Sequence, residues 1–125
     1  MKLFLILGNQ LFNTKYLKKF TDYSFYMSED YGLCSFQKHH KLKILLFLSA
    51  MRSYRDELKS KGFKIIYNDC HTYFKNSYEK KIGKIIKEKK VKEVTFFEIE
   101  DIFFEKRLKS FFKQRNIKFN EINSP

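Results

Sequence analysis

Glu98, Glu100 and Asp101 stand close together in the stretch Phe97-Glu98-Ile99-Glu100-Asp101. Carboxylates so arranged can share general acid–base work or hold Mg²⁺. The same run can instead cap and charge the first turn of a following helix, and on the residues this is the favoured reading. His39 and His40 are adjacent, and with His71 they form no tetrahedral zinc spacing. Cys34 and Cys70 belong to no CxxC or Cys/His ligand pattern and read as reduced thiols. No metal site is expected. Gly8 stands alone after the first apolar run, so the dinucleotide fingerprint GxGxxG is missing, as is the phosphate loop GxxxxGK[ST]. Asn9 and Gln10 occupy the place where a phospho-receiver would need carboxylates. Ser49 lies within a helical pattern and not on a GxSxG elbow. No nucleophile is paired with a base, so no catalytic residues are expected and catalysis by this chain alone is disfavoured.

The elements that would position these residues alternate in type. Lys2–Leu7 is a continuous apolar run closed by Gly8-Asn9-Gln10, the pattern of a strand buried on both faces. Thr14–Phe20 suits a short helix with Thr14 as N-cap and Tyr16, Leu17 and Phe20 inward, and Tyr23–Ser28 suits a second strand. From about Ser35 to Lys61, Ile44, Phe47, Leu48, Met51, Tyr54 and Leu58 recur at helical spacing, with Gly62 placed for a left-handed C-cap. Phe63–Tyr67 is the third strand. Ser77 caps a helix over Tyr78–Lys90 that turns Ile82, Ile85 and Ile86 inward and its Lys and Glu side chains outward. Lys92–Phe97, Ile102–Arg115 and Ile117–Ile122 complete the order as strand, helix and strand, with Phe104, Leu108, Phe111 and Phe112 on the inner side of the helix. Such alternation implies right-handed crossovers and an α/β fold: a five-stranded parallel sheet with helices on both faces, Rossmann-like or flavodoxin-like. A ligand crevice is then expected at the carboxyl ends of the strands, where strand order reverses.

Composition bounds the function. A chain of 125 residues, 43% hydrophobic and 18% aromatic, supports one domain with one real core and excludes intrinsic disorder. No apolar run approaches the ~20 residues of a spanning helix, and the start lacks a signal peptide's cleavage site. A cytoplasmic protein with no membrane association is therefore expected. The net charge of +12 invites a nucleic-acid partner, yet only four of the 26 basic residues are Arg: Arg52, Arg55, Arg107 and Arg115. A Lys-rich, Pro-poor chain is also what AT-rich coding produces, so a solvated basic surface stands beside a polyanion patch.

Two stretches are more specific. Leu7-Gly8-Asn9-Gln10-Leu11 precedes His39-His40-Lys41-Leu42-Lys43, which leads into Ser49-Ala50-Met51-Arg52. Further on comes Asp101-Ile102-Phe103-Phe104-Glu105-Lys106-Arg107-Leu108. Together they resemble the N-terminal domain of the photolyase-related proteins, the iron–sulfur bacterial cryptochrome and photolyase group. In that group a first strand ends LGDQL, a glutamate follows the second strand, and a helix is written HHKxKIxxxxSAMR. The resemblance runs from Leu3 to about Pro125. It implies a single α/β antenna domain over 1–125 that holds 6,7-dimethyl-8-ribityllumazine. It also implies that the larger helical domain, which in relatives binds FAD and a 4Fe–4S cluster and serves (6-4) lesion repair in DNA or blue-light reception, is absent from this chain.

Carried over residue by residue, the cofactor-binding candidates are Asn9 and Gln10 after the first strand, Glu29 after the second, His39, His40 and Lys43 at the head of the long helix, and Phe47 one turn on. Asn9, Gln10 and Glu29 would meet the polar edge and ribityl chain, and Phe47 would form the apolar wall. Phe47 equally suits the core stripe, and His39 and His40 equally suit loop contacts. Asn9 departs from the family's aspartate, and Leu33 stands where many members have a second acidic residue. The expected partner is a helical photolyase domain or a separate flavoprotein, with DNA held weakly at most. Two alternatives are a basic nucleic-acid module using the 78–90 and 103–115 helices, and a ligand-free truncated domain whose apolar surface packs on a partner.

Overall fold

The structure, a computed structural model, describes residues 1–29, 41–69 and 77–125, with residues 41–44 described in backbone only. Five strands, β1 (Lys2–Leu5), β2 (Ser24–Ser28), β3 (Ile65–Asn68), β4 (Glu93–Phe97) and β5 (Lys118–Ile122), form one sheet in the order β3-β2-β1-β4-β5. Every neighbouring pair is parallel. This is the Rossmann-type order, which decides between the two arrangements that the sequence pattern allows. The order reverses between β1 and β4, the place where folds of this class bind their ligands.

Side chains alternate along the strands and divide the core into two layers. Leu3 and Leu5 of β1, Tyr26 of β2 and Val94 and Phe96 of β4 pack on one face against helices α2 (Tyr78–Lys89) and α3 (Ile102–Gln114). On the other face Phe4, Phe25, Met27 and Phe97 meet helix α1 (Lys41–Ser60) and a 3-10 segment, Thr14–Phe20. Phe4 lies at the centre of that second layer, its ring within 4.8–6.3 Å of the rings of Phe20, Tyr23, Phe25 and Phe97. The apolar sides of α1 and α3 are those that the spacing predicts: Met51, Tyr54 and Leu58 on one, Phe104, Leu108, Phe111 and Phe112 on the other, all buried.

Helix ends follow side-chain and backbone capping. Ser77 Oγ accepts from Lys80 N at 3.2 Å, and Asp101 Oδ1 accepts from the amides of Phe103 and Phe104 at 3.0 and 3.1 Å. Asp101 therefore acts as the N-cap of α3, which is the favoured reading of the carboxylate run. At the end of α1 the Phe63 amide reaches Leu58 O at 3.0 Å and the Gly62 amide reaches Lys59 O at 3.1 Å, with Gly62 at φ 86°. This is the Schellman pattern expected of a glycine at that place. The same 6→1 bond closes α2 and α3, from Val91 to Ile86 and from Ile117 to Phe112, around Lys90 and Asn116 in the left-handed region.

Four expectations change. The Thr14–Phe20 segment is a 3-10 helix and its N-cap is Asn13, whose side chain accepts from Lys15 N at 3.0 Å. Thr14 is buried instead, taking a hydrogen bond from Lys61 at 2.7 Å. Tyr16 is 40% exposed, because three residues per turn place Leu17 inward and carry its neighbour out. Lys81 is buried on α2 and does not point outward with the other lysines; its amine finds a backbone carbonyl at the end of β2. The long helix is described from Lys41, so its expected start over 35–40 lies outside the described residues, as do Cys34 and Cys70.

Candidate functional site

The carboxyl ends of β1 and β2 carry buried polar side chains in an otherwise apolar core, and the end of β4 offers main-chain carbonyls to one of them. Gln10 follows β1 and is 5% exposed. Its amide Nε2 donates to Glu98 O at 2.8 Å and to Phe97 O at 3.4 Å, so this one side chain spans the point where strand order reverses. Its Oε1 is buried and finds no hydrogen-bond partner among the described residues. Ser28 Oγ, at the end of β2, is likewise buried without one. A buried acceptor left unmatched costs about 1–3 kcal/mol, so such atoms mark places where a further group is needed.

Gly8 explains how an aromatic ring comes close to this point. A Cβ built on Gly8 would lie 2.4 Å from Phe47 Cζ and 3.0 Å from Met51 Sδ. Only a residue without a side chain lets α1 seat Phe47 directly on the backbone that leads to Gln10. Phe47 is half-buried against the second core layer.

Glu29 has no exposed surface and is surrounded by partners. Arg52 of α1 grips its carboxylate at two points, Nε to Oε2 at 2.7 Å and Nη2 to Oε1 at 2.9 Å. The Tyr67 hydroxyl of β3 donates to the same carboxylate. Lys81 Nζ donates to the Glu29 main-chain carbonyl at 3.2 Å, and the Glu29 amide reaches Asn68 O at 2.8 Å. Burial, and then the bond to Glu29, pushes the Tyr67 phenol well above its ordinary range, against the pull of the Arg55 and Arg52 guanidiniums. Tyr67 therefore stays a neutral donor. The Arg55 guanidinium lies 4.7 Å from the Tyr67 ring centroid.

Of the residues singled out from the sequence, Phe47 packs against Gly8 of the β1 loop and Gln10 follows two residues on in the same loop. Asn9 is exposed in that turn, and Lys43 lies in the first turn of α1. Glu29 sits at the β2 end within its own network. His39 and His40 lie outside the described residues. Sequence reasoning gave no role to Arg52, Tyr67, Lys81 or Ser28. Arg52 was visible within the Ser49–Arg52 motif, whereas Lys81 carries no local signal, because its burial depends on where β2 ends beneath it.

The fold defines a Rossmann-like α/β domain, with buried polar side chains where strand order reverses and at the end of β2. Residues 4–125 match the deoxyribodipyrimidine photo-lyase-related protein family, and the chain belongs to that family. No curated protein matches the chain significantly. Among the described residues no helix is long and apolar enough to cross a membrane.

Proposed function

We propose that this photolyase-related chain is an antenna-type domain, noncatalytic by itself, whose crevice holds a flat heterocycle such as 6,7-dimethyl-8-ribityllumazine. The observation that carries the reading is the convergence of Gln10 and Phe47 at the β1–β4 reversal, with Gln10 Oε1 buried and unmatched among the described residues. A pyrimidinedione edge supplies the imide donor that such an acceptor requires, and a ring face suits the Phe47 wall. Gln10 and Phe47 would hold the group, with Asn9 in the adjoining turn toward its polar side. Glu29, expected to meet the polar edge, would in this reading also brace β2, β3 and α1 through Arg52 and Tyr67. When bound, a lumazine supplies light absorption. The chain's own residues orient it and keep water from its edge.

The partner in this reading is a flavin-bearing helical domain or separate flavoprotein of the cryptochrome and DNA-repair type, where FAD and a 4Fe–4S cluster would reside. The test is an absorbance and fluorescence titration with the lumazine, using FMN as control. A saturable shift for the lumazine alone, weakened about tenfold by Gln10→Ala and by Phe47→Ala, supports the proposal, that loss being ~1.4 kcal/mol each. Absence of a shift, or unchanged affinity in both variants, overturns it.

A further inference from the structure

At the other end of the sheet, below the amino ends of β2 and β3, a cleft of about 630 Å³ opens between the 3-10 segment and the turn that closes α1. That volume lies in the small-ligand range. Lys18, Lys61 and Lys64 line it and no carboxylate does. Lys61 is oriented by two contacts, Thr14 Oγ1 at 2.7 Å and Glu57 Oε2 at 2.9 Å. Glu57 is consumed in that pair, and the neighbouring Asp22 is held by Lys2 at 3.3 Å. Lys18 and Lys64 make no ion pair among the described residues. Two ammonium groups facing one concavity repel each other, and an anion between them turns that cost into attraction.

The rest of the lining is aromatic. Phe63 is half-buried, its ring edge-on to Phe25 at 5.3 Å, and so presents a fixed apolar surface. Tyr23 is buried with its hydroxyl accepting from Thr95 at 3.0 Å, which leaves its ring as lining. Gly62, at φ 86°, forms part of the rim with open space beside it. Cations across from an aromatic wall select an oxyanion attached to a flat ring.

We propose that this cleft binds a phosphate-bearing nucleoside, Lys18 and Lys64 meeting the phosphate and Phe63 the base. The site is separate from the carboxyl-end crevice and stands or falls independently of it. The chemistry is shared by a free mononucleotide and by a nucleotide within a strand, so the full chain is titrated calorimetrically with AMP, adenosine, inorganic phosphate and a short single-stranded oligonucleotide. Saturable AMP binding that exceeds adenosine and phosphate, and falls at least tenfold in K18E/K64E, supports a free nucleotide. Oligonucleotide binding without AMP binding, lost in the same variant, assigns the cleft to a strand. F63L should weaken the nucleotide and leave phosphate unchanged. Both lysines are exposed, so the double variant is expected to keep the parent melting temperature. No binding of AMP or oligonucleotide at millimolar concentration, or binding untouched by K18E/K64E, overturns the proposal.

Discussion

Arg52 and Glu29 form a two-point ion pair, at 2.7 and 2.9 Å, that ties α1 to the end of β2 around a carboxylate with no solvent exposure. Parallel orientation of guanidinium and carboxylate is the strongest geometry such a pair adopts. Its position matters more than its energy, because it fixes the helix that carries Phe47 relative to the strand ends.

Removing one partner exposes the dependence. Arg52→Met strips the buried Glu29 carboxylate of its two-point partner, while the Tyr67 hydroxyl still donates to it. A fully buried pair broken this way costs ~3–5 kcal/mol; the Arg52 side chain is 41% exposed, so about 2–3 kcal/mol is expected. Adding Glu29→Gln should recover at least ~1 kcal/mol by removing the stranded charge. Urea unfolding of both variants measures this, and an Arg52→Met loss below half a kcal/mol would refute the role.

Gly8 and Phe47 should behave as a coupled pair. Gly8→Ala forces the Phe47 ring off the β1 loop and is expected to cost about 1–3 kcal/mol, the usual penalty of overpacking. On a Phe47→Ala background the same change should cost much less, since the nearest obstructing atoms are gone. A double-mutant cycle of melting temperatures tests this, and strict additivity would show that the ring does not set the requirement for glycine.

Stability should fall at alkaline pH through Tyr54. Burial, reinforced by the nearby Glu57 carboxylate, pushes its phenol up to about 12, while the hydroxyl donates to Phe12 O at 2.6 Å. The folded state thus holds its proton more tightly than the unfolded chain, which releases it near 10. The contribution is complete below pH 10 and is lost as pH rises toward 12, amounting to about 1–2 kcal/mol. Tyr67 acts in the same direction. Tyr54→Phe should flatten the decline in denaturation midpoint over that window, and an unchanged slope would contradict the assignment.

Much of the architecture was legible in local pattern. Runs such as Leu3–Leu7, the stripe from Met51 to Leu58 and the inner side of α3 announced themselves through periodicity, because burial of one side is a property of each element alone. Asp101, Ser77 and Gly62 were readable as caps for the same reason: a cap acts on amides two or three residues away. Lys90 was not, since its left-handed conformation is imposed by the return of Val91 to the sheet and not by residue type.

Residue types and spacing determined the α/β class, the parallel strands and the family motifs around Gln10 and Arg52. Tertiary structure alone decided the order β3-β2-β1-β4-β5, and with it the reversal that Gln10 bridges. It also brought Tyr67, Arg52 and Lys81 to Glu29 from three separate elements. These are contacts between residues far apart in the chain, formed because a buried carboxylate must be matched wherever the packed core places its donors, and no local pattern encodes that place.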